Sequence, residues 1–142
     1  MLTPQHSRFS FLIMLRFNDR FFLQCAALSG MAAVILGAFG AHALKEQLSP
    51  SLMQAYQTGV HYQFFHTFAL LAVGMLLERK GALRLLRWSG VCFALGILLF
   101  SGSLYILALS GIRVFGMVTP LGGLLFIVAW FFMWLAMVKH RE

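Results

Sequence analysis

Acidic residues are almost absent from this chain. Four of its 142 residues are Asp or Glu, against eleven Lys or Arg, and charged residues total 11%. Soluble domains carry about 25% charged residues, so an ordinary water-soluble domain is excluded. Cysteine and proline are also scarce, at two and three. Two cysteines are too few for a disulfide scaffold; neither Cys25 nor Cys92 belongs to a CxxC, and both lie in apolar runs and read as small buried hydrophobes. No glycine pattern resembles a phosphate loop after a strand, so nucleotide binding has no support. No zinc-finger or RNA-binding spacing occurs, so no nucleic-acid partner is expected despite the net charge of +7.

What the chain does have is apolar length. Hydrophobic residues make up 61% and mean hydropathy is +0.84. Four runs, at about residues 21–44, 58–77, 89–110 and 117–138, contain no Asp, Glu, Lys or Arg. A bilayer-spanning helix needs roughly 20 residues, and the runs are too uniformly apolar for barrel strands. The pattern predicts an all-α membrane protein, a four-helix transmembrane bundle spanning residues 20–142. Residues 1–19 are set apart as a cytoplasmic or interfacial segment, upstream of the start should translation begin at Met14. Ala41-His42-Ala43 has the small-residue pattern of a signal-peptidase site, but the preceding apolar run exceeds the usual 7–15 residues. It is read as part of a retained span.

The joints carry caps. Ser49-Pro50 is an N-cap with proline at the first helical position, and predicts a second helix from Pro50 to Leu77. Thr119-Pro120 starts the fourth helix or kinks it one turn in. Arg8, Arg16, Arg20, Arg79, Lys80, Arg84, Arg87, Lys139 and Arg141 fall on one side of a four-span chain, nine of its eleven basic residues. Lys45 and Arg113 fall on the other. The positive-inside rule then predicts cytoplasmic termini.

With that orientation the polar residues within the spans concentrate in the outward half. His42, Gln57, Tyr62, Gln63, His66, Ser103, Tyr105 and Thr119 are the candidate ligand-binding residues, with His61 and Ser101 at similar depth. Gln57 and His61, and Tyr62 and His66, are four apart and share a helix face. His61 and His66 are five apart, about 140° around a helix, and are poor partners for one metal. Polar groups in hydrocarbon find partners or water, so the cluster either bonds across helices or lines an outward polar cleft. Ser29, Ala33, Gly37 and Ala41, spaced by four, form a small-residue stripe for close helix approach.

Asp19, Glu46, Glu78 and Glu142 lie at span ends or outside, so no membrane-embedded carboxylate is present to carry protons. No activated nucleophile is legible either. The expectation is a non-enzymatic protein without catalytic residues, metal set or cofactor, whose cleft takes a lipid, a small amphiphile or a partner helix. Its expected partners are the lipid bilayer and a second copy or another membrane protein. The alternatives are a small oligomeric transporter or channel, and a haem or metal carrier using His42 and His66.

The motifs at Gly37-Ala38-Phe39-Gly40-Ala41-His42-Ala43-Leu44, Tyr56-Gln57, Tyr62-Gln63 with His66, Phe100-Ser101-Gly102-Ser103-Leu104-Tyr105 and Thr119-Pro120-Leu121-Gly122-Gly123 carry a family resemblance. In order and spacing the chain resembles the bacterial inner-membrane family called domain of unknown function 423, related to eukaryotic transmembrane protein 256. The likeness covers about residues 20–139. It implies a multi-pass inner-membrane protein of four helices and supplies no reaction. It marks the same polar residues as the depth argument, apart from His61.

Overall fold

The structure, a computed structural model, describes residues 19–80 and 83–139. The segment 1–18, including the apolar stretch at 9–17, and the residues after Lys139 lie outside the described residues. Among the described residues, four helices are long and apolar enough to cross a membrane: Arg20–Leu44, Pro50–Arg79, Arg84–Ser110 and Arg113–Lys139. Among the described residues there are no strands. In hydrocarbon every backbone donor and acceptor must be satisfied within the segment, and a helix does that.

The first span is α1 (Asp19–Phe39), which continues into a π-helical turn at Gly40–Leu44. The second is α2 (Pro50–Lys80). Ser49 caps it, with its Oγ accepting from the Leu52 N–H at 3.4 Å and Pro50 in the first turn. At 31 residues α2 is about 46 Å long, well beyond a hydrocarbon core of about 30 Å. The third span is α3 (Arg84–Gly96), a π-helical turn at Ile97–Ser101, and α4 (Gly102–Ser110). It stops at Gly111, whose φ of 73° takes the left-handed conformation that suits glycine, with its N–H on the Leu107 carbonyl at 2.8 Å. A 3₁₀ turn at Arg113–Met117 leads into α5 (Thr119–Lys139), so Thr119-Pro120 opens the fourth helix.

The order of packing is α1 on α2, α2 on the third span, and the third span on α5. The second and third spans are therefore central, and the first and fourth flank them with more of their residues exposed. Close crossings rest on glycine. A Cβ on Gly40 would stand 2.5 Å from the Tyr56 ring, and one on Gly96 would stand 2.6 Å from the Phe126 ring. At Gly122 it would strike the backbone of Phe100, where α5 meets the π-helical turn. Membrane helices gain packing contacts through such small residues, since lipid supplies little drive for association.

Two apolar clusters result. The larger holds Phe22, Ala26, Leu70, Val73, Leu86, Phe93, Phe126 and Ala129, toward the end of the bundle that carries the connection near residue 83. The smaller holds Leu44, Tyr56 and Ala108, with Leu36, Leu48, Met53, Val60 and Tyr105 packed around it, at the opposite end. Along α2 the buried polar residues Gln63, His66 and Thr67 fall between the two clusters.

The glycine geometry predicts opposite outcomes for two alanine substitutions. Gly122→Ala must push apart two backbones and should destabilise by about 1–3 kcal/mol. Gly102→Ala meets nothing within 4 Å and should be neutral or stabilising, because alanine is the better helix former by about 1 kcal/mol. Unfolding of both variants in detergent is the check, and equal stabilities would contradict the close crossing at Gly122.

Candidate functional site

The polar residues sort into four groups. The first is a continuous hydrogen-bonded layer across three helices. Tyr105 of α4 donates its phenol to Gln63 Oε1 at 2.7 Å. Gln63 Nε2 donates to the Ser29 carbonyl of α1 at 3.0 Å and lies 3.5 Å from Ser29 Oγ. Ser29 Oγ and Thr67 Oγ1 share a hydrogen at 2.6 Å. Gln63 is 5% exposed, so both ends of its amide are satisfied inside the protein. Gln63 lies thirteen residues from the start of α2, roughly 20 Å along the helix, near its middle.

The second group joins the third and fourth spans. Ser103 Oγ donates to the Phe100 carbonyl at 2.9 Å and lies 2.8 Å from Thr119 Oγ1. Ser101, two residues earlier in the π-helical turn, is 1% exposed, and its Oγ has no hydrogen-bond partner among the described residues. Nearer the other end, Ser89 ties α3 to α5 through the Ala129 carbonyl at 2.8 Å.

The third group is aromatic. His66 Nδ1 lies 2.7 Å from the Tyr62 carbonyl one turn back. Its ring stacks on Phe126 of α5, centroids 3.5 Å apart and planes within 8°. Tyr62 stacks on Phe100 at 4.4 Å and stands 5.7 Å from His66. The four-residue spacing of Tyr62 and His66 thus does put them on one face.

The fourth group lies at the far end of the α1–α2 contact. Gln57 and His61, both exposed, share one wall of a cleft of about 260 Å³ with Tyr56; Gly37, Gly40 and Ala41 form the other. Tyr56 is buried, donating its phenol to the Leu36 carbonyl at 2.8 Å and standing 5.2 Å from Tyr105. The glycines matter here because Gly40 lets the Tyr56 ring lie against the α1 backbone and Gly37 keeps that wall low beside Val60. His42 is exposed in the π-helical turn beside this cleft.

The eight candidate residues therefore do not line one shared cleft. Gln63 bonds to Tyr105 and Ser103 to Thr119, Tyr62 and His66 stand ring to ring, and Gln57 faces the open cleft. His42 and His66 are not brought together. His66 lies sixteen residues, about 24 Å, down α2 from Pro50, whereas His42 is in the turn that precedes it. No cluster of three or more His, Cys, Asp or Glu able to hold a metal occurs among the described residues. Ser29 belongs to the expected small-residue stripe, yet it is a hydrogen-bonding hub; Thr67 and Tyr56 stand outside the eight. Thr67 follows Gln63 by four, the one signal that placed it on the same face.

These features define a multi-pass membrane protein built on a polar layer between two apolar clusters. The family model for a protein of unknown function (DUF423) matches residues 36–123. The UPF0382 inner membrane protein YgdD of Escherichia coli K12 is 45% identical over 125 residues, covering 88% of this chain and 95% of the relative. The UPF0382 membrane protein YwdK of Bacillus subtilis is 39% identical over 119 residues, covering 84% and 97%. The chain belongs to this family of uncharacterised membrane proteins, and it resides in the bacterial inner (plasma) membrane. No solved structure matches it.

Two serines test the bonding scheme. Ser103→Ala removes an interhelical bond and should destabilise by roughly 0.6 kcal/mol, the average for such bonds in a membrane protein. Ser101→Ala removes a buried hydroxyl without a partner, so stability should hold or rise. Equal losses in detergent unfolding would contradict the assignment.

Proposed function

We propose that this protein is a non-enzymatic membrane protein that holds one acyl chain or small headgroup of an amphiphile in the cleft between α1 and α2. The observation that carries this reading is the cleft itself. It pairs the small residues Gly37, Gly40 and Ala41 with two exposed polar side chains, Gln57 and His61, on the facing helix. A volume of about 260 Å³ lies just below the usual range of roughly 300–1,000 Å³ for small-molecule pockets. That size suits part of a lipid rather than a whole one. The apolar stem would lie along Val60 and Met53, and the polar part would meet Gln57 and His61.

The reading places this cleft in the outward-facing half of the membrane. Support comes from charge. Arg20, Arg79, Arg84, Arg87 and Lys139 sit at the opposite end of the spans, against Lys45 and Arg113 at the cleft end. That asymmetry favours a cytoplasmic location for the basic end. The polar layer supports binding over transport, since its donors and acceptors are matched to each other.

Native mass spectrometry of protein extracted in mild detergent tests the reading. The wild type should carry a reproducible added lipid mass. Ala41→Phe, an exposed wall position outside the core, should lose it without losing stability. Bare wild-type protein, or an adduct that survives in the variant, would overturn the assignment. For orientation, Glu46→Cys should react with an impermeant thiol reagent in intact spheroplasts, and protection would reverse the topology.

A further inference from the structure

His66 is oriented, walled by aromatic rings and chemically unfinished. A carbonyl oxygen only accepts, so the 2.7 Å contact with the Tyr62 carbonyl requires Nδ1 to carry the hydrogen. In the neutral ring this fixes the tautomer and leaves Nε2 as a lone-pair acceptor. Nε2 meets no hydrogen-bond donor among the described residues. The ring cannot turn to find one, because it lies face to face with Phe126 at 3.5 Å.

The surroundings select the kind of group that would complete it. Phe93 and Trp130 stand 5.9 and 6.4 Å from the ring, and Tyr62 stands 5.7 Å away. His66 itself is 8% exposed, while Tyr62 and Trp130, at 41% and 49%, carry the niche to the lipid-facing surface between α2 and α5. The backbones of those two helices approach closely at few positions, so the rings bridge the gap between them. A metal ion would not find three ligands here, as no cluster of three or more His, Cys, Asp or Glu occurs among the described residues. A flat aromatic headgroup fits better, since it stacks on aromatic walls at ordinary offset or edge geometry.

We propose that His66 is the hydrogen-bond acceptor of a binding site for a lipid-soluble phenol, entered sideways from the bilayer between Tyr62 and Trp130. The phenolic O–H donates to Nε2 and the ring packs against Trp130. A hydroquinone with an apolar tail is the membrane-borne form of this chemistry. The site is separate from the cleft at Gln57 and stands or falls independently of it.

The test compares 4-nonylphenol with 4-nonylanisole, which differ by the O–H, as saturable binding to the full chain in nanodiscs above empty nanodiscs. The phenol should bind about tenfold more tightly, the factor that one net hydrogen bond supplies. His66→Phe keeps the stack on Phe126 and removes Nε2, so it should bring the phenol down to the anisole level. Trp130→Ala, at a half-exposed wall, should weaken both probes alike and serves if the His66 variant does not fold. Equal binding of phenol and anisole to the wild type would overturn the proposal. So would a tenfold preference that persists in His66→Phe, unequal loss in Trp130→Ala, or no saturable binding.

Discussion

A primary amide in the middle of a membrane helix must be satisfied on both sides, and in this protein Gln63 sets that requirement. Its oxygen takes the Tyr105 phenol, and its nitrogen gives to the Ser29 carbonyl. One side chain thereby ties α2 to both α1 and α4. An amide left without partners in an apolar medium costs several kcal/mol, so any shift of these helices along one another is opposed at this point. The register of the two apolar clusters follows, because they lie on either side of the layer.

Glycine sets how near the helices come, and the layer sets where they meet. At Gly122 and Phe100 the two backbones are too close for a methyl group, in the same region where Ser103 bonds to Thr119. Tyr56 fills the space above Gly40 and reaches across to the Leu36 carbonyl. Close approach and hydrogen bonding thus coincide twice, once at α1–α2 and once where the third span meets α5. Polar groups at those crossings are shielded from lipid by the approach that the glycines permit.

The four spans were legible in the sequence because the length of an apolar run is a one-dimensional property. The same holds for the Ser49-Pro50 start and for the stacking of Tyr62 with His66, both set by local spacing. The partners of Gln63 were not legible. They depend on how three helices slide against one another, which residue spacing within one helix does not encode. Ser29 has the spacing of a packing residue and becomes a hydrogen-bonding hub only once Gln63 is beside it. Ser101 and Ser103 differ by two positions, about 200° around a regular helix, so one of them would ordinarily face lipid. Both are buried because the third span is central, with neighbours on two sides.

The central claim is that Gln63 and Tyr105 act as one unit, and a double-mutant cycle measures that. Gln63→Leu, Tyr105→Phe and the double variant would be compared with the wild type in reversible unfolding from mixed micelles. The account predicts a coupling energy of roughly 0.5–1.7 kcal/mol between the two positions. Strictly additive losses would contradict it, and would mean that the layer is a consequence of the packing and not its cause.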